Sequence, residues 1–124
     1  SELVDFCLAK NQKKIIKIIN ENNFSRDDTI LIIRTFLSKT KRLIKLKNSM
    51  QQNKNIDNVI SNFKPPIFWK DKELVKQQLD NWSDKNIRNL LQTINENELL
   101  IKKNFESSLR ILLNFVFTTV QANQ

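Results

Sequence analysis

With 124 residues, 40% of them hydrophobic and 27% charged, the chain is long enough to bury one core and has the composition of a folded domain. It has neither glycine nor histidine, which excludes Gly-rich phosphate loops, the dinucleotide fingerprint, Ser-His and Cys-His catalytic pairs, and imidazole metal ligands. Its formal charge of +8 suits either a nucleic-acid partner or a lysine bias acting on every surface, and charge alone does not choose between them.

Helical periodicity runs through nearly the whole chain, with no strand-like alternation of any length. A short first helix is predicted over Glu2 to Leu8, with the single cysteine, Cys7, as a small core residue. One cysteine cannot close an internal disulfide, which suits a reducing cytoplasm. A second helix is predicted over Gln12 to Asn20, its wide apolar face formed by Ile15, Ile16, Ile18 and Ile19. Asn22-Asn23 ends it, and the left-handed turn positions of the chain are expected to fall to asparagines in the absence of glycine. Ser25 then caps a long helix running to about Gln51, with Asp28 completing a weak capping box. Ile30, Ile33, Leu37 and Ile44 form one stripe on it, and Ile32, Phe36, Leu43 and Leu46 a second, so the helix is expected to be buried between neighbours. Arg34, Lys41 and Lys45 keep one narrow side wet.

Gln51 to Asn55 reads as loop, and Ile56, Val59, Ile60 and Phe63 as one short amphipathic helix stopped by Pro65. The run Lys64-Pro65-Pro66-Ile67-Phe68-Trp69-Lys70 is a stiff connector, because proline fixes φ, removes a donor and pushes Lys64 toward an extended conformation. Its apolar side chains must cover neighbouring helices or meet another protein. Trp69 either packs back on the preceding helix or reaches a partner. Phe68, Val75, Leu79 and Trp82 are expected to share the next helix face. Ser83 is an N-cap, with Trp82 stapled against Ile87 four residues into the following helix. That helix buries Ile87, Leu90, Leu91, Ile94 and Ile101 and ends at Asn104. A last helix from about Ser107 carries Leu109, Leu112, Leu113, Val116 and Val120, and Gln121 to Gln124 are expected to fray. The fold class is all-α: a single bundle of about six helices over residues 1–124. No run is long and apolar enough for a transmembrane helix, and no signal peptide is visible. The chain starts at Ser1 with a helical pattern already under way, and reads as a fragment of a longer protein.

Carboxylates are the only acid-base groups on offer. Asp27/Asp28, Asp71/Glu73 and Glu96/Glu98 are too close in sequence to share a helix face, and no cluster has metal-ligand spacing. The expectation is no catalytic site, no cofactor and no metal. Glu98 falls on the apolar stripe, four residues before Lys102. It is either half of a local helix salt bridge or a polar anchor that fixes helix ends or a subunit contact. Phe105 follows Lys102, Lys103 and Asn104 at a helix end. It either closes the last two helices together as a core aromatic or stacks on an exposed base.

Several segments, in order, carry a resemblance. They are Leu3-Val4-Asp5 with Leu8-Ala9; the Ile30-to-Lys47 helix with Arg34-Thr35-Phe36 and Lys41-Arg42-Leu43; Pro65 to Lys70; Gln78-Leu79-Asp80-Asn81-Trp82-Ser83; and Glu98-Leu99-Leu100-Ile101-Lys102 with the closing leucine-rich helix. Over nearly its whole length the chain resembles the C-terminal helical domain of the delta subunit of bacterial DNA polymerase III, in the clamp-loader family. That resemblance implies a cytoplasmic collar domain, which holds loader subunits in a ring during DNA replication. AAA+-like and lid domains would precede it. The implied partners are the delta prime and gamma or tau subunits, the sliding clamp through the missing N-terminal domain, and primer-template DNA. The collar itself would carry no enzyme activity, although its parent assembly is a DNA-directed DNA polymerase. The resemblance also implies a DNA contact at Phe105, with Lys102 and Lys103 as phosphate contacts. Pro65, Pro66, Phe68, Trp69, Trp82 and Glu98 are the candidates for a subunit interface or structural motif. Relatives of that kind often have glycine where this chain has Lys10-Asn11, and asparagine is expected to serve that turn. Two other readings stand beside this one: a stand-alone basic helical nucleic-acid binder, and an unrelated adaptor bundle docking through Trp69.

Overall fold

The apolar periodicity resolves into seven α-helices in the computed structural model, which describes residues 1–121. These are α1 (Glu2–Leu8), α2 (Gln12–Glu21), α3 (Arg26–Met50), α4 (Ile56–Asn62), α5 (Lys72–Asp80), α6 (Asp84–Lys103) and α7 (Ser108–Gln121). Single 3-10 turns occupy Trp69–Asp71 and Phe105–Ser107. No strand occurs among the described residues, so the all-α expectation stands, with seven helices where about six were expected. Of the tail expected to fray, Gln121 closes α7, and Ala122, Asn123 and Gln124 lie outside the described residues.

The helix starts follow from local chemistry. Asn11 accepts from the Lys14 N–H at 3.2 Å, Asn55 from the N–H groups of Asp57 and Asn58, and Ser83 from the Asn86 N–H at 3.1 Å. The Asp28 carboxylate accepts from the Ser25 N–H at 2.8 Å, the return half of a capping box. The spine is α3 against α6, the most extensively packed pair. Arg26 pairs with Glu106 at 2.8 Å, Arg34 with Glu98 at 3.3 Å, and Arg88 donates to Asn48 at 3.1 Å, so the two helices run antiparallel. Across the core α7 leans on this spine, with Phe36 and Phe115 edge to face at 5.1 Å between centroids.

α1 has only seven residues, too few to persist alone, yet Leu3, Val4, Cys7 and Leu8 are all buried. The Cys7 thiol lies 3.6 Å from the Val116 carbonyl, and burial pushes its pKa up to about 12. It is an inert core residue. α1 is tied to α5 and the turn after it by side chains that donate to its carbonyls. Gln78 Nε2 reaches Asp5 O at 2.9 Å, Asn81 Nδ2 reaches Ala9 O at 2.9 Å, and Trp82 Nε1 reaches Leu8 O at 2.8 Å.

Four expectations are corrected. Ile16 is exposed: α2 packs chiefly on α1, so only Ile15 and Ile18 are buried and Ile19 half-buried. Phe68 is exposed and does not continue the Val75, Leu79 and Trp82 face, because it lies ahead of the helix in extended backbone (φ −59, ψ 132). The buried side of α7 is Leu112, Phe115, Val116, Thr119 and Val120, while Leu109 and Leu113 are only half-buried; the helix is turned so that Phe115 meets Phe36. The left-handed turn is taken by lysine. Among the described residues the positive φ falls on Lys10 alone, at 55°. Asn22 instead leaves α2 extended, its side-chain amide donating to Ile18 O at 2.7 Å.

Lys10 reverses the chain between α1 and α2, and its ammonium sits 4.2 Å from the centre of the Trp82 ring, where burial lowers its pKa. A left-handed lysine carries the Cβ penalty that glycine avoids. Lys10→Ala keeps that penalty and loses the ring contact, whereas Lys10→Gly loses both. Urea denaturation should therefore find Lys10→Gly more stable than Lys10→Ala by about 1 kcal/mol. Equal stability would show that the turn is unstrained.

Candidate functional site

The step from α6 to α7 gathers the residues that sequence singled out for nucleic acid. Asn104 stops α6 at φ −132, ψ 57, its side-chain amide donating to Leu100 O at 3.0 Å. The 3-10 turn that follows begins at Phe105, which is 43% exposed and so does not close the last two helices as a core aromatic. Lys102 and Lys103 occupy the last turn of α6, where the helix dipole favours cations. Both are exposed. An exposed ring beside two ammonium groups on one connector is chemically able to stack on a base while its neighbours touch phosphate.

Glu98 lies one turn back from this step. Its side chain is 17% exposed and accepts from both Lys102 at 3.2 Å and Arg34 at 3.3 Å. Partial burial alone would raise its pKa. The hydrogen bonds from Lys102 and then Arg34, with their charges, outweigh that, and the carboxyl lies below its ordinary value of 4.5. The local Glu98–Lys102 pair therefore belongs to a larger link that joins α6 to α3. The Arg34 partner, 64 residues away in sequence, has no local signal.

Between the Arg34–Glu98 and Arg26–Glu106 pairs lie Leu31 on α3 and Leu99, Leu100 and Phe105 on or just after α6. All four are exposed, Leu31 by 71%. One end of the spine thus leaves several large apolar side chains uncovered. Sequence reasoning missed Leu31, Leu99 and Leu100 as surface features. Their signal was that each falls off the buried stripes of its helix.

The proline connector forms a second exposed group. Pro65 and Pro66 are exposed, and Trp69, 74% exposed, does not pack back on α4. The rings of Phe68 and Trp69 are 5.9 Å apart, with the Lys70 ammonium 5.5 Å from the Trp69 ring. Ile67 alone of this apolar run is partly buried against the core. Trp82 is different in kind. It is buried, and with its bond to Leu8 O and its place in the same core as Ile87 it is a structural tie.

No group of His, Cys, Asp or Glu able to hold a metal ion occurs among the described residues. No helix of the described residues is long and apolar enough to cross a membrane. No family model, no curated protein and no solved structure matches the chain.

Because the folded-state pKa of Glu98 is depressed, its ionised form stabilises the fold at pH values above the ordinary 4.5, and that contribution is lost as pH falls through the lower folded value. Glu98→Gln should lower stability at pH 7 by about 0.5–1 kcal/mol, the range for a partly exposed network. The difference from the parent protein should vanish as the solution is acidified below the carboxylate range. Thermal melts across that pH series check both statements, and a pH-independent difference would mean a packing effect.

Proposed function

We propose that this chain is the collar module of a clamp-loader delta subunit, holding neighbouring loader subunits through its helices while other domains do the work. The observation that carries this reading is the exposed apolar end of the α3–α6 spine. Leu31, Leu99, Leu100 and Phe105 are each exposed there, at the level of the Arg34–Glu98 and Arg26–Glu106 pairs. Large apolar side chains left exposed at one end of a fold are a mark of protein contacts. A second support is internal. Two of the segments that carry the resemblance, Leu3-to-Ala9 and Gln78-to-Ser83, interlock through three side-chain-to-backbone hydrogen bonds. Gln78, Asn81 and Trp82 thus have a physical reason to occur in a chain that buries this first helix.

On this reading the partners are the delta prime and gamma or tau subunits, and the sliding clamp is met by a domain ahead of this one. Primer-template DNA passes close to Phe105, with Lys102 and Lys103 beside it. The module has no catalytic task of its own and works in the cytoplasm. The exposed Phe68, Trp69 and Lys70 group is a second contact available to a neighbouring subunit.

Sedimentation of the chain with the other loader subunits should show association. Leu31→Asp combined with Leu99→Asp should weaken it about tenfold or more, since truncating central apolar contacts commonly costs over 1 kcal/mol. Both side chains are exposed, so an unchanged circular dichroism melt is expected, and undiminished association by the folded variant would overturn the assignment. In the reconstituted loader, Phe105→Ala should cost about 1–3 kcal/mol of primer-template affinity, the value of one stacked base. Unchanged affinity would remove the stacking role.

A further inference from the structure

We propose that the groove between α3 and the Phe63-to-Pro65 segment is a phosphate-binding site that takes the sugar-phosphate backbone of a nucleic-acid strand. The groove encloses about 500 Å³, and five of the side chains lining it are cations. None of its lining residues, among the described residues, is a carboxylate. Two of the cations are already engaged, Arg34 by Glu98 and Lys39 by Asp5. The other three, Lys41, Arg42 and Lys45, make no ion pair among the described residues.

Three features make this a site and separate it from a solvated face. Lys41 and Lys45 stand one turn apart on α3, a spacing at which like charges destabilise a helix unless an anion lies between them. The Arg42 Nε is buried and finds no acceptor on the protein. A buried guanidinium nitrogen without a partner leaves the cation poorly solvated, and an oxyanion in the groove, which Arg42 lines, would answer its charge. Finally, Phe63, Pro65 and half-buried Leu37 form an apolar wall, which lowers the local dielectric and strengthens a charged hydrogen bond.

The layout selects the ligand. Arg34, Ser38, Lys41 and Lys45 follow one face of α3 over eleven residue steps, roughly 16 Å at about 1.5 Å per step. That length exceeds a single phosphate group and spans a few successive phosphates of one strand. A repeating phosphodiester meets the whole row, whereas a free phosphate or a lone carboxylate meets only part of it. The site is separate from Phe105, and it does not depend on the collar reading.

The test is anisotropy of a labelled oligothymidylate about twelve nucleotides long, at about 50 mM salt, where phosphate contacts are weakly screened. Lys41→Gln with Lys45→Gln should weaken binding about tenfold and flatten the log–log salt slope by roughly 1.4, at about 0.7 per phosphate contact on a single strand. Lys13→Gln with Lys17→Gln, an equal loss of charge on the exposed side of α2, should change affinity about twofold or less, as expected of distant screened charges. Arg42→Lys keeps the charge but removes Nε and the fork, and should weaken binding several-fold. Equal losses from the two double variants, or no binding at low salt, would overturn the site. Displacement by pyrophosphate at matched phosphate concentration would overturn the strand as its source and leave a free-phosphate site. Equal displacement by polyglutamate would overturn it in favour of an acidic polypeptide. Leu31→Ser with Leu99→Ser, which removes the apolar contacts without adding charge, should bind the oligonucleotide as the parent does, so failure of subunit assembly and failure of this site are distinguishable.

Discussion

The whole arrangement depends on what happens to the carbonyls at the end of α1. A seven-residue helix buried on most of its surface brings its C-terminal carbonyls into the interior, where water cannot answer them. The backbone N–H groups of Ala9, Asn11 and Lys10 answer those of Asp5, Phe6 and Cys7. Leu8 and Ala9 are answered by side chains from one place, Trp82 and Asn81, and Gln78 adds a second bond to Asp5. Those three donors fix α1 against α5. The burial of Trp82 then places Ser83, and with it the start of α6. Lys10, resting on the other side of the same indole, sets the reversal into α2. A short helix that looks peripheral in sequence therefore locks the starts of two others.

From that lock the spine follows. α6 begins beside Trp82 and runs antiparallel to α3, and the register between them is pinned by Arg34 on the Glu98 carboxylate, which Lys102 holds from its own helix. The polar link stands at the edge of the core, where partial burial strengthens it without the full desolvation cost of a buried pair. Beyond it the spine ends with no further helix to cover Leu31, Leu99 and Leu100. Part of the exposed apolar surface thus lies where the internal packing stops, and the rest at Ile16, Phe68, Trp69 and Phe117.

Much of this was legible locally. Ser25 and Ser83 announce their helices because a cap uses only residues two or three apart. The stripes of α3 and α6 were legible because helices packed on several sides repeat their apolar residues over many turns. Periodicity failed where the backbone stopped being helical, as at Phe68, or where a helix met one neighbour only, as at Ile16. In α7 every third or fourth residue is apolar on more than one side, so the choice of Phe115 over Leu109 and Leu113 rests on Phe36, which is remote in sequence. Arg34 with Glu98 and Gln78 with Asp5 are likewise contacts between distant segments, and a single sequence holds no periodic trace of them. The left-handed turn went to Lys10 because the reversal falls at that residue, and the long side chain found a ring to cover.

A lysine-rich composition makes the positive charge look uninformative, yet the cations divide into distinct uses. Lys39, Lys72, Lys76, Arg26, Arg34, Arg88 and Lys102 meet carboxylates. Lys10, Lys14 and Lys70 lie over aromatic rings. Lys41, Arg42 and Lys45 do neither, although they stand together along one groove and α3 is otherwise served by pairs at Arg26, Arg34 and Lys39. A mutational bias toward lysine would scatter such residues over all faces and leave most of them fully solvated. It does not explain a guanidinium nitrogen held away from water with no acceptor beside it. Among the described residues other cations, Lys13 and Lys17 for example, also stand without an ion pair, so what marks the groove is the gathering of its cations around a buried guanidinium nitrogen that has no acceptor.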